Sequence, residues 1–149
     1  MMYWALIDWT LVASIVTAIG VFVAAYGLRE SRQIAQTEFE DSLDQQYREL
    51  AKDIPVDALI GKMVASDKKE FTRELIYNYL DLSNEQVFLR KKKRIRLDTW
   101  LDWSGGIKSH LGKVEFQAVW QEIKMESAGT FTFLEKLEQQ NFISDPARW

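Results

Sequence analysis

The sequence predicts an all-α protein: a single N-terminal transmembrane helix continuing into a helical stalk, then a small domain of about four helices. Three observations carry this expectation. Residues 9–28 (WTLVASIVTAIGVFVAAYGL) run twenty positions without a charge. No Pro or Gly interrupts residues 28–54. Downstream, apolar residues recur at helical spacing. The expected divisions are a short extracytoplasmic tail (1–8), the span (9–28), the stalk (29–54) and a cytoplasmic helical domain (55–149).

As a helix rising ~1.5 Å per residue, the uncharged stretch measures ~30 Å, the thickness of a bilayer's hydrocarbon core. Trp4 and Trp9 lie near one end and Tyr26 near the other, as interfacial aromatics do; Asp8 is placed to cap the helix. A cleaved signal peptide would carry basic residues before a shorter apolar run, but residues 1–8 hold no Lys or Arg. A buried core helix would need a larger protein around it. Arg29 and Arg32 directly follow the span, so the positive-inside rule puts the N-terminus outside and the rest in the cytoplasm. Ala13, Thr17, Gly20, Ala24, Gly27 and Ser31 are small residues at alternating spacings of four and three. They form one stripe where a second helix could approach closely. Val12, Val16, Ile19 and Val23 occupy the other side and suit lipid.

The stalk carries a narrow apolar stripe of Ala35, Phe39, Leu43, Tyr47, Leu50 and Ile54, and its remaining surface is charged. Such a helix either pairs with copies of itself or folds against the domain. Pro55 ends it. Asp67 with Glu70 three residues later predicts a capping box for the next helix, which aligns Phe71, Leu75, Ile76, Tyr79 and Leu80. That helix runs, directly or after Ser83–Asn84, to the basic run Arg90, Lys91, Lys92, Lys93, Arg94, Ile95, Arg96. Asp98 is the expected N-cap of a helix beginning Thr99-Trp100-Leu101, which Gly105-Gly106 would bend or break and Gly112 would end. Residues 114–126 predict another helix, burying Phe116, Val119, Trp120 and Ile123. Residues 129–133 alternate as a strand would but have no partner strand, so a loop leading into a last helix at 133–140 is preferred. The tail 142–149 should return its aromatics to the core.

Charge and composition remove several functions. With only Asp8 and Arg29 outside it, the segment 30–149 holds 18 basic against 21 acidic residues. That sign disfavours nucleic acid. Cysteine is absent, which removes disulfides, thiol nucleophiles and thiolate metal sites. The lone His110 could be grouped with Ser104, Ser109 and Asp102, but no nucleophile elbow surrounds it, and a surface or capping role is expected. Gly105 to Ser109 lacks the spacing of a phosphate loop. The acidic pairs Glu70/Glu74 and Asp98/Asp102 share helical faces but read as solvated surface. No metal site, cofactor or catalytic residue is therefore expected.

The basic run is the most informative polar feature: six cations, Arg90, Lys91, Lys92, Lys93, Arg94 and Arg96, inside an acidic domain. A solvated helix end would explain it, since cations suit a helix C-terminus. The functional readings are contact with anionic lipid headgroups, with a phosphorylated ligand such as a nucleotide signal, or with an acidic partner. The acidic 38–49 segment, in this copy or another, could be that partner.

From Leu75 to Leu111 the run LIYNYLDLSNEQVFLRKKKRIRLDTWLDWSGGIKSHL resembles a family of uncharacterised bacterial proteins with one N-terminal transmembrane helix and a small cytoplasmic helical domain. The positions that carry it are Asn78, Tyr79, Leu80, Asp81, Glu85, the 90–96 run, Trp100 and Trp103. The resemblance implies architecture and a place in the bacterial inner membrane, and no activity. The leading expectation is a membrane-anchored, non-enzymatic interaction or sensor module, self-associating through the small-residue stripe or joined to another membrane subunit. The alternative is a membrane effector of bacterial anti-phage defence, gated by a phosphorylated or nucleotide ligand at the basic run.

Overall fold

In a computed structural model, residues 9–149 are described; the tail 1–8, with Trp4 and the expected cap Asp8, lies outside them. The described residues form six α-helices and two 3-10 turns, with no strand, so the all-α expectation holds. The helices are α1 (Trp9–Ala51), α2 (Val56–Leu59), α3 (Lys69–Lys91), α4 (Leu97–Leu111), α5 (Val114–Glu126) and α6 (Thr132–Gln139). The chain divides into two compact units, residues 1–39 and residues 40–149.

The described part of the first unit is the leading portion of α1. It is the one helix among the described residues long and apolar enough to cross a membrane, with a mean hydropathy of 2.2 over its best window and none of that window buried. A soluble core helix would hide these side chains, yet Phe22 is 78% exposed. Its hydroxyls turn inward: Ser14 donates to the Thr10 carbonyl at 2.8 Å and Thr17 to the Ala13 carbonyl at 2.9 Å. Thr37, in the charged part of the same helix, makes the same bond to the Gln33 carbonyl at 3.0 Å.

The second unit is organised around α3. Ile76, Leu80 and Val87 are fully buried, and the buried residues lie on one face of the helix, opposite the exposed Arg73, Tyr77, Asp81 and Glu85, the pattern of an amphipathic helix packed on a core. It packs against α5, α6 and the C-terminal 3-10 turn, while α4 and α2 pack on α5. The α5 prediction holds residue for residue, with Phe116, Val119, Trp120 and Ile123 buried. The last helix lies one position earlier than expected.

From Glu40 onward the helix read as a stalk folds with the domain, one of its two expected outcomes, with Leu43 and Ile54 in the core, while Ala35 of the expected stripe is exposed. Several local expectations fail. Asp67 caps nothing; a 3-10 turn at Ser66–Lys68 precedes α3. Phe71, expected on the buried face, is 57% exposed. The Gly105-Gly106 pair does not break α4, and Asp98 lies inside that helix, bonding only the neighbouring Thr99 amide at 2.9 Å. In none of α2 to α6 does the N-cap side chain bond its own helix.

The missing caps are replaced from elsewhere in the unit. Asn84, in mid-α3, accepts the Phe133 and Leu134 amides at 3.2 and 3.0 Å, capping α6. Glu40 accepts the Arg96 amide, at the N-cap of α4, at 2.7 Å. First-turn amides need acceptors wherever they come from; here long-range side chains supply them.

Candidate functional site

A cleft of about 450 Å3 opens in the second unit between the end of α1, the middle of α3 and the length of α4. That volume is in the range of small-molecule sites. From α1 come Glu40, Asp41, Asp44 and Tyr47, at spacings that stack them on one side. Gln86 and Tyr79 come from α3. The α4 side presents Thr99, Asp102, Trp103, Gly106 and His110, nearly all three or four residues apart, with Arg96 and Asp98 at the entrance to the helix.

Glu40 anchors one end. Only 2% exposed, it holds Arg96 Nε at 2.9 Å, the Arg96 amide at 2.7 Å and the Thr99 hydroxyl at 2.7 Å. Burial alone would raise its pKa, but these bonds together bring it below the usual carboxylate value. Asp44 accepts the Trp103 indole N–H at 2.8 Å, fixing the ring as a wall. The cleft thus has five carboxylates (Glu40, Asp41, Asp44, Asp98, Asp102) against one guanidinium, a balance of −4 with His110 neutral.

At the other end His110 sits within an aromatic cluster: ring centroids lie 5.0 Å from Tyr79, 5.1 Å from Phe116 and 6.4 Å from Tyr47. This corrects the surface or capping role expected for it. Its Nδ1 is 2.8 Å from the Gly106 carbonyl; a carbonyl only accepts, so Nδ1 carries the proton. The Tyr79 hydroxyl is 3.3 Å from the same nitrogen. Burial pushes the His110 pKa below 6.5 and the Tyr79 phenol well above its ordinary value. Among the described residues, no three His, Cys, Asp or Glu gather closely enough to hold a metal ion.

The basic run is divided by the fold. α3 ends at Lys91, and Lys93 takes a left-handed φ of 58°. Arg94 N–H reaches the Leu89 carbonyl and Lys93 N–H the Arg90 carbonyl, a Schellman C-cap. Ile95, 1% exposed, pins the turn to the core. Arg90 forks onto Asp145 at 2.8 and 2.7 Å and donates to the Ile95 carbonyl; Arg96 is held by Glu40. Lys91 and Lys92 lie over the rings of Phe133 and Phe88, 5.1 and 5.5 Å from the centroids. Lys91, Lys92, Lys93, Arg94 and Arg96 are exposed, while Arg90 is half-buried in its pairing with Asp145. The stripe residues Ala13, Thr17, Gly20, Ala24 and Gly27 are all exposed, and a Cβ added at Gly20 or Gly27 would meet nothing within 4 Å.

Compared with known protein families, curated proteins and solved structures, the chain shows no significant match. The acidic residues of the 38–49 segment and the 98/102 pair were visible in the sequence as helical faces. Their convergence, and the part of Gln86 in it, were not, because no local pattern brings α1 and α4 together.

Proposed function

We propose that this chain is a membrane-anchored, non-enzymatic sensor or interaction module, with the apolar part of α1 in the membrane and the cleft on the cytoplasmic side. One observation carries the reading: α1 contributes both the exposed apolar stretch to Leu28 and, from Glu40 to Tyr47, a wall of the cleft. Occupancy of the cleft would thus act on a helix that also enters the bilayer. Arg29 and Arg32 after the span support the orientation, and the small-residue stripe offers a seam for a second copy or another membrane subunit. A phosphorylated ligand at the basic run is less favoured on charge, since Arg90 and Arg96 are already matched by Asp145 and Glu40.

The absence of cysteine makes the test clean. In intact bacterial cells, a membrane-impermeant maleimide should label Tyr3→Cys, and Ala128→Cys only after lysis. The reverse pattern would overturn the orientation, and recovery of the chain in the soluble fraction would overturn the anchor. Disulfide crosslinking at Thr17→Cys, and not at Val16→Cys, is expected if the stripe is the seam; equal yields would sink that part.

A further inference from the structure

We propose that the cleft binds a linear aliphatic polyamine, the ammonium groups meeting its carboxylates and the methylenes lying on its aromatic walls. The inference rests on the sensor reading and names the ligand class of that site. Acidic side chains alone would say little, since they crowd many wet surfaces. The independent sign is Gln86, a polar side chain only 6% exposed that lines the cleft. Its amide makes no hydrogen bond among the described residues. Nor is it sealed away, because the one fully enclosed side-chain nitrogen or oxygen without a partner is Trp120 Nε1. The small exposure left to Gln86 therefore opens into the cleft. With no protein partner, that amide is left to whatever occupies the cleft, and a ligand N–H donor there would replace water on its oxygen.

The distribution of charge selects the shape of the cation. The single guanidinium in the cleft is already held by Glu40, so the net field of Asp41, Asp98 and Asp102 draws cations and repels phosphates. Those carboxylates do not converge as metal ligands do, which disfavours a compact divalent ion and suits charges spaced along a chain. Trp103, held by Asp44, and Tyr47 supply ring surface, the usual complement of an alkylammonium. At Gly106 the α4 wall is bare: a Cβ there meets nothing within 4 Å.

Full-length protein in detergent micelles, titrated with spermidine, tests this by thermal shift and calorimetry. Wild type should show a saturable rise in Tm that NaCl and MgCl2 at matched ionic strength do not reproduce. Gly106→Leu, which fills open space, and Gln86→Leu, which removes the unpartnered amide, should each weaken binding by about tenfold or more, roughly 1.4 kcal/mol. Both should melt no lower than wild type without ligand. If magnesium matches spermidine, or Gly106→Leu binds as wild type does, the cleft is an ordinary acidic surface and the proposal fails. Flotation of the same samples with liposomes reports the anchor separately, so loss of binding with intact flotation refutes only the ligand.

Discussion

The two ends of α1 use the same backbone in opposite ways. Between Trp9 and Leu28 the side chains are almost all apolar and almost all exposed, Phe22 most of all. Between Glu40 and Ala51 the sequence is acidic, yet Leu43 is 3% and Glu40 2% exposed. Apolarity and burial are therefore uncoupled along one helix. What is hidden depends on what lies opposite: α4 faces the acidic end, through the bonds of Glu40 to Arg96 and Thr99 and of Asp44 to Trp103. Nothing in the described chain covers the apolar end, and the bilayer is the solvent that would make its exposure favourable.

The largest effect should come from charging the apolar end. Val16→Lys together with Val23→Lys places two ammoniums near the middle of the span, at about 3 kcal/mol each on insertion scales. The double variant should leave the membrane fraction on carbonate extraction and flotation. Retention equal to wild type would show that the exposed helix is not an anchor.

Truncation sharpens the contrast at the other end. Leu43→Ala empties a core position and should cost about 2–5 kcal/mol of domain stability. Leu28→Ala, at a residue 64% exposed, should leave the domain melting point where it was. Equal losses from the two would erase the distinction between them.

A third change tests whether the buried acid holds the end of α4. Glu40→Gln removes the charge opposite Arg96 and disturbs the acceptor for its amide, so roughly 2 kcal/mol should be lost at pH 7. The folded-state pKa of Glu40 is lowered, so its stabilisation is present above the unfolded value of 4.5 and fades as pH falls through the folded value. The gap between wild type and variant should therefore narrow in acid melts. A gap that stays constant to low pH would mean the charge contributes nothing.

The smallest expected effect belongs to His110. Desolvation lowers its folded pKa, with Lys113 adding repulsion, so the unfolded chain binds the proton more readily. Stability should rise with pH through the window around and below 6.5. His110→Phe keeps an aromatic ring in the cluster and should flatten that slope. An unchanged slope would assign it to another group.

Much of the fold was legible. The helices from α3 to α6 follow from apolar residues recurring every three or four positions, and α5 shows it most clearly, because all four of its buried residues lie on one turn-spaced face. The ends of helices were less legible. Asp67 and Asp98 are good caps by residue type, yet neither caps, because the chain before them does not take the required turn. The basic run looked like one feature because its residues are consecutive. The fold splits it: a left-handed Lys93 reverses the chain and sends Arg90 to Asp145 and Arg96 to Glu40. Of the cleft, the sequence showed acidic faces on two segments and no sign that they meet.

The sequence by itself determined which segments are helical, that one of them is long and apolar enough to cross a bilayer, and that the chain offers no thiol. Those properties depend on local period and composition, which survive without knowledge of any neighbour. Only the tertiary structure decided where the carboxylates go and what caps the helices. Glu40 is 56 residues from Arg96 and 59 from Thr99, and Asn84 about as far from the amides it caps. A hydrogen bond acts over about 3 Å, so the identity of its partner is a property of packing and not of sequence separation.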